Sequence, residues 1–390
     1  MNVLVCHNYY QQPGGEQSAV DSLIALLKRR GHRVTRLTED SSVIRTYRFK
    51  SKIGFLWNTV YSLRTVREIQ KIIRRERPDV AHVHNVFPLI SPSVYRALER
   101  GGVPVVQTVH NFRLLCPNGL FYTHGGTCEL CKYGNTIHAV RHRCYRGSYV
   151  MSALYAFAVG LHRLAGTFDA ISRFIVLSEF AGRKLVESRL ASAGKVVRLG
   201  NFVDESLLAL RPLDSREPYF VYVGRLSDEK GIMTLVQAAA SSPSLHIKIL
   251  GGGPLAEPLN ELIRERNLGN VQLLGYVTGQ AKLDVLGRAL ACVIPSTCYE
   301  NFPLALVESL SLGTPVIASD IGSLPDLIEH GRSGLLFKVG SHDDLRAKMN
   351  YLLNSPTSAS QMGRYGRLVV ETKYTPSAYY NALMAIYQGL

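Results

Sequence analysis

The sequence lacks several features that would assign it quickly. No stretch of about 20 uninterrupted apolar residues occurs in its 390 positions, which argues against a spanning helix. The opening MNVLVCHNYY has no basic region followed by a long apolar core, so it reads as a first strand and not as a signal peptide. No G-x-G-x-x-G follows that strand, which disfavours a nicotinamide dehydrogenase, and the loop GRLSDEKG is not a Walker A motif. No D-x-D metal motif stands at a strand end, and no aromatic-rich strand motif or helix-turn-helix signal supports nucleic-acid binding.

Acid is scarce in one half. Residues 1–200 hold 29 Lys and Arg against 12 Asp and Glu, a balance of +17, whereas residues 201–390 hold 16 against 18. A basic half suggests an anionic partner: nucleic acid, a membrane surface or a phosphorylated substrate. The composition, 46% hydrophobic and 19% charged, fits a soluble globular protein, so a cytoplasmic location with reduced cysteines is expected.

The two halves open alike. Residues 2–6 form a short apolar run, followed by the loop QQPGGEQ, a helical pattern from Ser18 to Arg30 and a strand from His32 to Leu37. The second half repeats this with YFVYVG, RLSDEKG, a helix over Ile232–Ala240 and a strand over His246–Gly251. Further strands are expected at Val80–Val83, Val103–Thr108 and Phe174–Leu177, then at Val271–Leu274, Ala291–Ile294, Pro315–Ala318 and Gly334–Phe337. Strands alternating with helices indicate an α/β fold of two doubly wound parallel-sheet domains. The join falls between Gly200 and Pro218, at the turn-like DSREP. Such sheets bind ligands outside the carboxyl ends of their strands, and the cleft between two domains is the natural site.

In GRLSDEKG, Gly224 permits close backbone approach, and Arg225 and Lys230 are spaced to reach one anion such as a diphosphate. The stretch CYENFPLALVESLSLGTPVIASD carries two glutamates. Pro303 suits the first helical position and Gly313 the far end, which leaves Glu300 in the preceding loop. The free N–H groups of a helix start favour an anion. Glu300 then suits sugar hydroxyls and Glu308, two turns in, suits a ribose diol, so the stretch reads as a sugar–diphosphate–ribose clamp.

The pattern E-N-F-P-L-A-L-V-E with G-R-L-S-D-E-K-G ahead of it closely resembles the retaining family 4 glycosyltransferases of the GT-B fold, and the resemblance covers nearly the whole chain. It implies two Rossmann-like domains facing across a cleft: an acceptor-binding domain over 1–205 with a cysteine-rich insert at about 112–147, a nucleotide-sugar domain over 206–372, and a C-terminal helix over 373–390 packing back on the first. It implies catalytic roles for His110 in TVHN, for Arg225 and Lys230 on the leaving diphosphate, and for Glu300 on the donor sugar. Donor contacts would come from Gly14, Gly15, Gly224, Gly252, Val277, Asn301, Phe302, Pro303, Leu304, Ala305 and Glu308, with Gly251–Gly253 and Tyr276–Val277 near the base. Phe202 replaces a glycine of the family's N-G-V-D pattern, which questions the local turn. The implied activity is metal-independent hexosyl transfer with retention, by a front-face reaction, from a nucleotide-diphosphate sugar to a lipid-linked or oligosaccharide acceptor. Bacterial surface polysaccharide, lipopolysaccharide or glycolipid assembly is the expected setting. A same-fold nucleotide-sugar epimerase and a basic nucleic-acid-binding protein are the alternatives, and nucleic acid is not the expected partner.

Cys116, Cys128, Cys131 and Cys144 form C-x11-C-x2-C-x12-C in a turn-rich segment. A structural Zn²⁺ on four thiolates would stabilise it; an iron–sulfur cluster, two disulfides or small buried thiols are the other readings. Residues 43–79 mix Arg and Lys with Phe55, Leu56, Trp57 and Tyr61, the composition of an interfacial amphipathic helix, and Ser148–Phe168 is a second apolar segment. Both suggest contact with an anionic inner membrane surface.

Overall fold

The computed structural model describes residues 1–11, 14–46, 49–213 and 215–390. Gln12 and Pro13 of the first glycine loop, Tyr47 and Arg48 of the basic segment and Asp214 of the linker lie outside the described residues. The chain divides into two compact units. The first holds Met1–Thr123, Cys128–Gly200 and Tyr380–Leu390; the second holds His124–Thr127 and Asn201–Tyr379.

The first unit is built on a six-stranded parallel sheet: β1 (Asn2–Tyr9), β2 (Arg33–Asp40), β3 (Val80–Val83), β4 (Val105–Val109), β5 (Arg173–Val176) and β6 (Val196–Arg198), in the order β2-β1-β3-β4-β5-β6. Central strands of a parallel sheet are covered on both faces, which is why Val3 to Cys6, Val80 to Val83 and Val105 to Val109 are mostly apolar and buried throughout, His82, Gln107 and Thr108 included. At the edge, β2 reads RVTRLTED and alternates in exposure. The sixth strand was not expected from the sequence; KVVR is too short and too charged to show a pattern. The first helix covers Gly15–Arg29 and not Ser18–Arg30, because Gly14 is its N-cap and the polar GEQ forms its first turn.

The second unit repeats the plan with β7 (Glu217–Val223), β8 (His246–Leu250), β9 (Val271–Gly275), β10 (Ala289–Ile294), β11 (Val316–Ser319) and β12 (Gly334–Phe337), in the order β9-β8-β7-β10-β11-β12. Its core gathers Phe220, Ile232, Leu235, Ile247, Ile249, Val293, Ile317 and Met349, all buried. Each sheet reverses its direction of growth once, between β1 and β3 and between β7 and β10. The loops at the carboxyl ends of those strands are where such a sheet binds ligands.

The basic segment is not one amphipathic helix. It forms helices at Phe49–Val60 and Leu63–Glu76, broken at Ser62, whose hydroxyl caps the second by accepting from the Thr65 amide at 3.2 Å. The apolar segment forms a helix over Tyr149–Leu164. No helix among the described residues is long and apolar enough to cross a membrane.

The C-terminal run is fastened to the first sheet by two tyrosines. Tyr387 Oη lies 2.6 Å from His82 Nδ1, and Tyr380 Oη lies 2.8 Å from His32 Nε2. His82 is fully buried in β3, and its other nitrogen meets Thr108 Oγ1 at 2.7 Å. Tyr387→Phe strands one buried imidazole nitrogen, so it is expected to cost about 1–2 kcal/mol, read as a drop of a few degrees in the thermal midpoint. An unchanged midpoint would mean that the tail does not contribute to the first unit.

Candidate functional site

The second unit's site starts at the carboxyl end of β7. The loop 224–231 is zipped to the loop after β8: the Gly224 amide donates to Leu250 O at 3.0 Å and the Leu226 amide to Gly252 O at 2.9 Å. That approach leaves no room for side chains. A Cβ on Gly251, whose φ is +150°, would stand 1.8 Å from Gly224 O. Asp228–Lys230 make one turn of 3₁₀ helix, and Gly231 at φ +65° turns the chain into the helix Ile232–Ala240. Arg225 is exposed on this loop, while Lys230 turns inward.

Lys230 Nζ meets Glu300 Oε1 at 2.6 Å, and Ser296 Oγ donates to the same oxygen at 2.6 Å. Ser296 and Glu300 follow β10, the strand on the other side of the reversal point. Burial opposes ionisation of Glu300, but the Lys230 ammonium and the two hydrogen bonds outweigh it and hold the carboxyl below its ordinary range. The loop carrying Glu300 is pinned from below: the Ser323 hydroxyl donates to Asn301 O at 2.7 Å and also to Glu300 O. Sequence reasoning missed both serines; hydroxyls next to a strand end carry no pattern of their own.

The helix beyond runs Leu304–Ser311, with Pro303 as its N-cap, so Pro303 lies just outside the helix and not at its first position. Its ψ of 122° is extended, which ends the loop one residue later than the proline preference suggests. Phe302 is buried edge-on against Tyr374, ring centroids 5.3 Å apart, which leaves its backbone as the part that faces the helix start. Glu308 is held by Lys282 Nζ at 2.7 Å, a partner the sequence did not suggest. Tyr276 is well exposed after β9, beside Val277. Phe202 is not among the residues with positive φ; it packs on Tyr379 with centroids 4.7 Å apart, so the turn does not need the missing glycine.

In the first unit, His110 follows β4 and its Nε2 lies 2.9 Å from Nδ1 of His84, which follows β3. The rings of His82, His84 and His110 stack in sequence, with centroids 4.4 and 5.2 Å apart. Burial pushes His110 down to about 3 and His84 well below its ordinary value. Both are therefore neutral near pH 7, and one donates to the other. His82 and His84 alternate along VAHVH, and that period-2 spacing is a signal that sequence reading could have used. A small cavity beside them is lined by Glu16, Gln107, His110, Asn111 and Arg113. Glu16 Oε2 accepts from Asn111 Nδ2 at 2.9 Å and from Tyr10 Oη at 3.1 Å, and burial raises its pKa. Gly14 and Gly15 sit at the start of the helix that carries Glu16.

The four cysteines of the insert come together: Cys116, Cys128, Cys131 and Cys144 line one small cavity with His138 and His142. All are free thiols, and burial pushes Cys131 up to about 12. The donor set suits a soft divalent ion, yet as the side chains stand no three His, Cys, Asp or Glu groups among the described residues are placed to hold a metal ion.

Two parallel-sheet units of this kind, with ligand-ready loops at their reversal points, are the GT-B fold of the glycosyltransferases. Over its full length the chain matches sucrose-phosphate synthase from Thermosynechococcus elongatus with a TM-score of 0.73 at 19% identity, covering 98% of that chain. It matches Anabaena HepE, solved in complex with UDP and glucose, with a TM-score of 0.69 at 15% identity, covering 99% of that chain. The chain belongs to glycosyltransferase family 4: residues 13–207 match Glycosyltransferase Family 4 and residues 208–369 match Glycosyl transferases group 1. Among relatives, it is 29% identical over 178 residues to α-maltose-1-phosphate synthase of Mycolicibacterium smegmatis, spanning 42% of this chain and 46% of that protein. It is 25% identical over 303 residues to the sulfoquinovosyl transferase SQD2 of Arabidopsis thaliana, spanning 76% and 54%. The chain spans about half the length of the curated relatives it matches.

The ion pair between Lys230 and Glu300 is mostly shielded from water. Lys230→Met removes the charge that keeps Glu300 ionised, and is expected to cost about 3 kcal/mol at neutral pH. Because the Glu300 pKa is depressed, its stabilisation is present above the ordinary carboxylate range and fades as pH falls through the folded value. The variant should therefore lose its deficit in acid, and adding Glu300→Gln should recover part of it at pH 7. Equal denaturation midpoints for wild type and Lys230→Met at pH 7 would show that the pair is not formed.

Proposed function

We propose that this chain is a retaining glycosyltransferase that moves a hexosyl group from a nucleotide-diphosphate sugar to a hydroxyl of a lipid-linked or glycan acceptor. Its place is surface polysaccharide or glycolipid assembly, peripheral on the inner face of the cell membrane. The observation that carries the reading is the Lys230–Glu300 pair, set immediately before the start of the helix Leu304–Ser311. Lys230 spends one of its three N–H donors on Glu300, which leaves donors for a diphosphate that Arg225 also reaches. Amides at Leu304 and Ala305 add the positive end of the helix. Glu300, held ionised, accepts from donor-sugar hydroxyls, and Glu308 accepts from the ribose. UDP bound to HepE is in keeping with a nucleotide donor.

In the transfer, the bond from the anomeric carbon to the phosphate oxygen breaks and a bond to the acceptor oxygen forms on the same face. The acceptor proton passes to the departing diphosphate. Catalysis then rests on position and on stabilising the leaving group. His110, neutral because it is buried, supplies a hydrogen bond and not a charge.

The test is a thermal-shift screen of UDP-, GDP-, ADP- and dTDP-sugars on wild type, Glu308→Ala and Arg225→Ala. One nucleotide class should raise the wild-type midpoint by several degrees and lose that effect in both variants. No rise at millimolar donor with folded protein would end the transferase reading. Transfer to an acceptor, as against conversion of the free nucleotide sugar, separates it from an epimerase.

The cysteine cluster is carried in this reading as a structural Zn²⁺ site of the insert. Metal analysis of purified protein should find about one zinc per chain, lost together with the ordering of the insert in Cys128→Ser/Cys131→Ser. Metal-free protein with four thiols open to titration after mild unfolding would retire the zinc.

A further inference from the structure

The helix Tyr149–Leu164 presents an unusual face to solvent. Val150, Phe157 and Leu164 are 67%, 59% and 91% exposed, with Ala153 and Leu161 exposed between them. At 100° per residue these five positions fall within an arc of about 80°, and they run about 21 Å along the axis. A surface helix of a soluble protein turns such a stripe to the core. Here the core side is separately supplied by Ser152, Tyr155, Ala156, Ala158, Val159 and His162. The stripe is therefore surplus to folding.

The neighbouring helix also exposes apolar side chains, Leu56 and Trp57. Phe49–Val60 packs against Tyr149–Leu164, and His162 Nε2 hydrogen-bonds to Val60 O at 2.7 Å, which fixes the two helices together. Trp57 on that helix is 72% exposed, and Leu63 follows it into the open.

Charge tells what would cover this surface. Residues 41–67 and 130–168, the stretches that contain the two helices, include no Asp or Glu at all, against 6 and 5 Lys or Arg. Some of these cations are used internally: Lys132 pairs with Glu129 and Glu187, and Arg64 with Glu39. Arg141, Arg143 and Arg146 are exposed where the chain enters the stripe's helix, with no carboxylate partner among the described residues, and Arg143 stacks over Tyr149 at 5.2 Å. Arg67 is exposed on the following helix. Aliphatic and aromatic side chains with arginines where the helix begins, in a stretch without acid, match a bilayer interface whose headgroups are anionic. A helix of 16 residues with one apolar face, beside a helix of 12, lies in such an interface and does not cross it.

We propose that the paired helices Phe49–Val60 and Tyr149–Leu164 form the face by which this protein docks on an anionic lipid bilayer, with Trp57, Phe157, Leu161 and Leu164 entering the headgroup region. The proposal rests on the proposed peripheral location and names the surface responsible, but it needs neither donor nor acceptor to be read. Trp57 is the protein's one tryptophan and stands in the proposed contact, so the unmodified chain carries its own probe.

The experiment adds vesicles of phosphatidylcholine, with and without phosphatidylglycerol, to the full chain. Mixed vesicles should float the protein and shift Trp57 emission to the blue, and high salt should weaken both effects. Phe157→Ser/Leu161→Ser/Leu164→Ser should lower the bound fraction at least tenfold, and so should Arg141→Glu/Arg143→Glu/Arg146→Glu. Both variants change exposed residues only and should keep the wild-type thermal midpoint and nucleotide-sugar response, which separates loss of docking from loss of the donor site. No binding to mixed vesicles overturns the proposal. So does binding that survives both variants, and so does concentration-dependent self-association abolished by the serine variant, which would make the face a contact between copies of this chain.

Discussion

The contact on which the second unit's site depends is the one between Lys230 and Glu300. It joins the loop after β7 to the loop after β10, the two strands between which the sheet changes its direction of growth. Main-chain bonds join the two loops as well: the Thr297 and Cys298 amides donate to Glu229 O at 3.0 and 3.3 Å. The ion pair adds a side-chain link between them, and its groups have hydrogen-bonding capacity to spare. The neighbouring glycines answer the same need. Gly231 and Gly251 let the loop backbones approach to distances at which a Cβ would collide with a carbonyl oxygen. The loops are thereby brought together without side chains filling the ground between them, which leaves that ground to a ligand.

The first unit solves a different problem. Its histidines at the strand ends are buried and kept neutral, beside the Arg113 guanidinium. Three imidazoles stack from β3 to the end of β4, and burial holds each uncharged. Glu16 is pushed the other way by the same burial, toward its protonated form, while Asn111 and Tyr10 bond to it. Fixed hydrogen-bonding groups of this kind orient a neutral hydroxyl-rich molecule without the desolvation cost of a buried charge. The second unit keeps its buried charges, and it keeps them paired.

Much of this was legible in the sequence. Val80–Val83, Ile232–Ala240 and Gly334–Phe337 match their expected bounds, because a mainly apolar strand covered on both faces, or a mainly apolar helix entered at a glycine, stands out between turn residues. Glu300 and Glu308 were legible because a carboxylate next to a helix start or among LALV and SLSL is out of place. Their partners were not. Lys282 and Ser323 come from other segments, and Ser296, although in the same loop as Glu300, is an ordinary serine in its sequence. Pairing across loops is a property of tertiary approach, and no local periodicity records it. The break at Ser62 was missed for a related reason: a run of mixed basic and apolar residues looks continuous until one hydroxyl turns back to cap the next helix.

The location of the positive charge bears on its purpose. If the surplus of 17 in residues 1–200 served the chemistry, it would be found at the strand ends around the cavity. There the structure has neutral histidines, a carboxyl pushed toward its protonated form and a single guanidinium, that of Arg113. Exposed arginines lie instead on the surface, Arg141, Arg143 and Arg146 where the chain enters the helix Tyr149–Leu164 and Arg74, Arg77, Arg100 and Arg189 elsewhere. Arg141, Arg143 and Arg146 stand at the Tyr149 end of the apolar stripe, in a stretch without Asp or Glu, which is the arrangement that the proposed docking on an anionic surface uses. In the proposed docking, surface charge of this unit serves the contact with lipid, while burial keeps the histidines at its strand ends neutral.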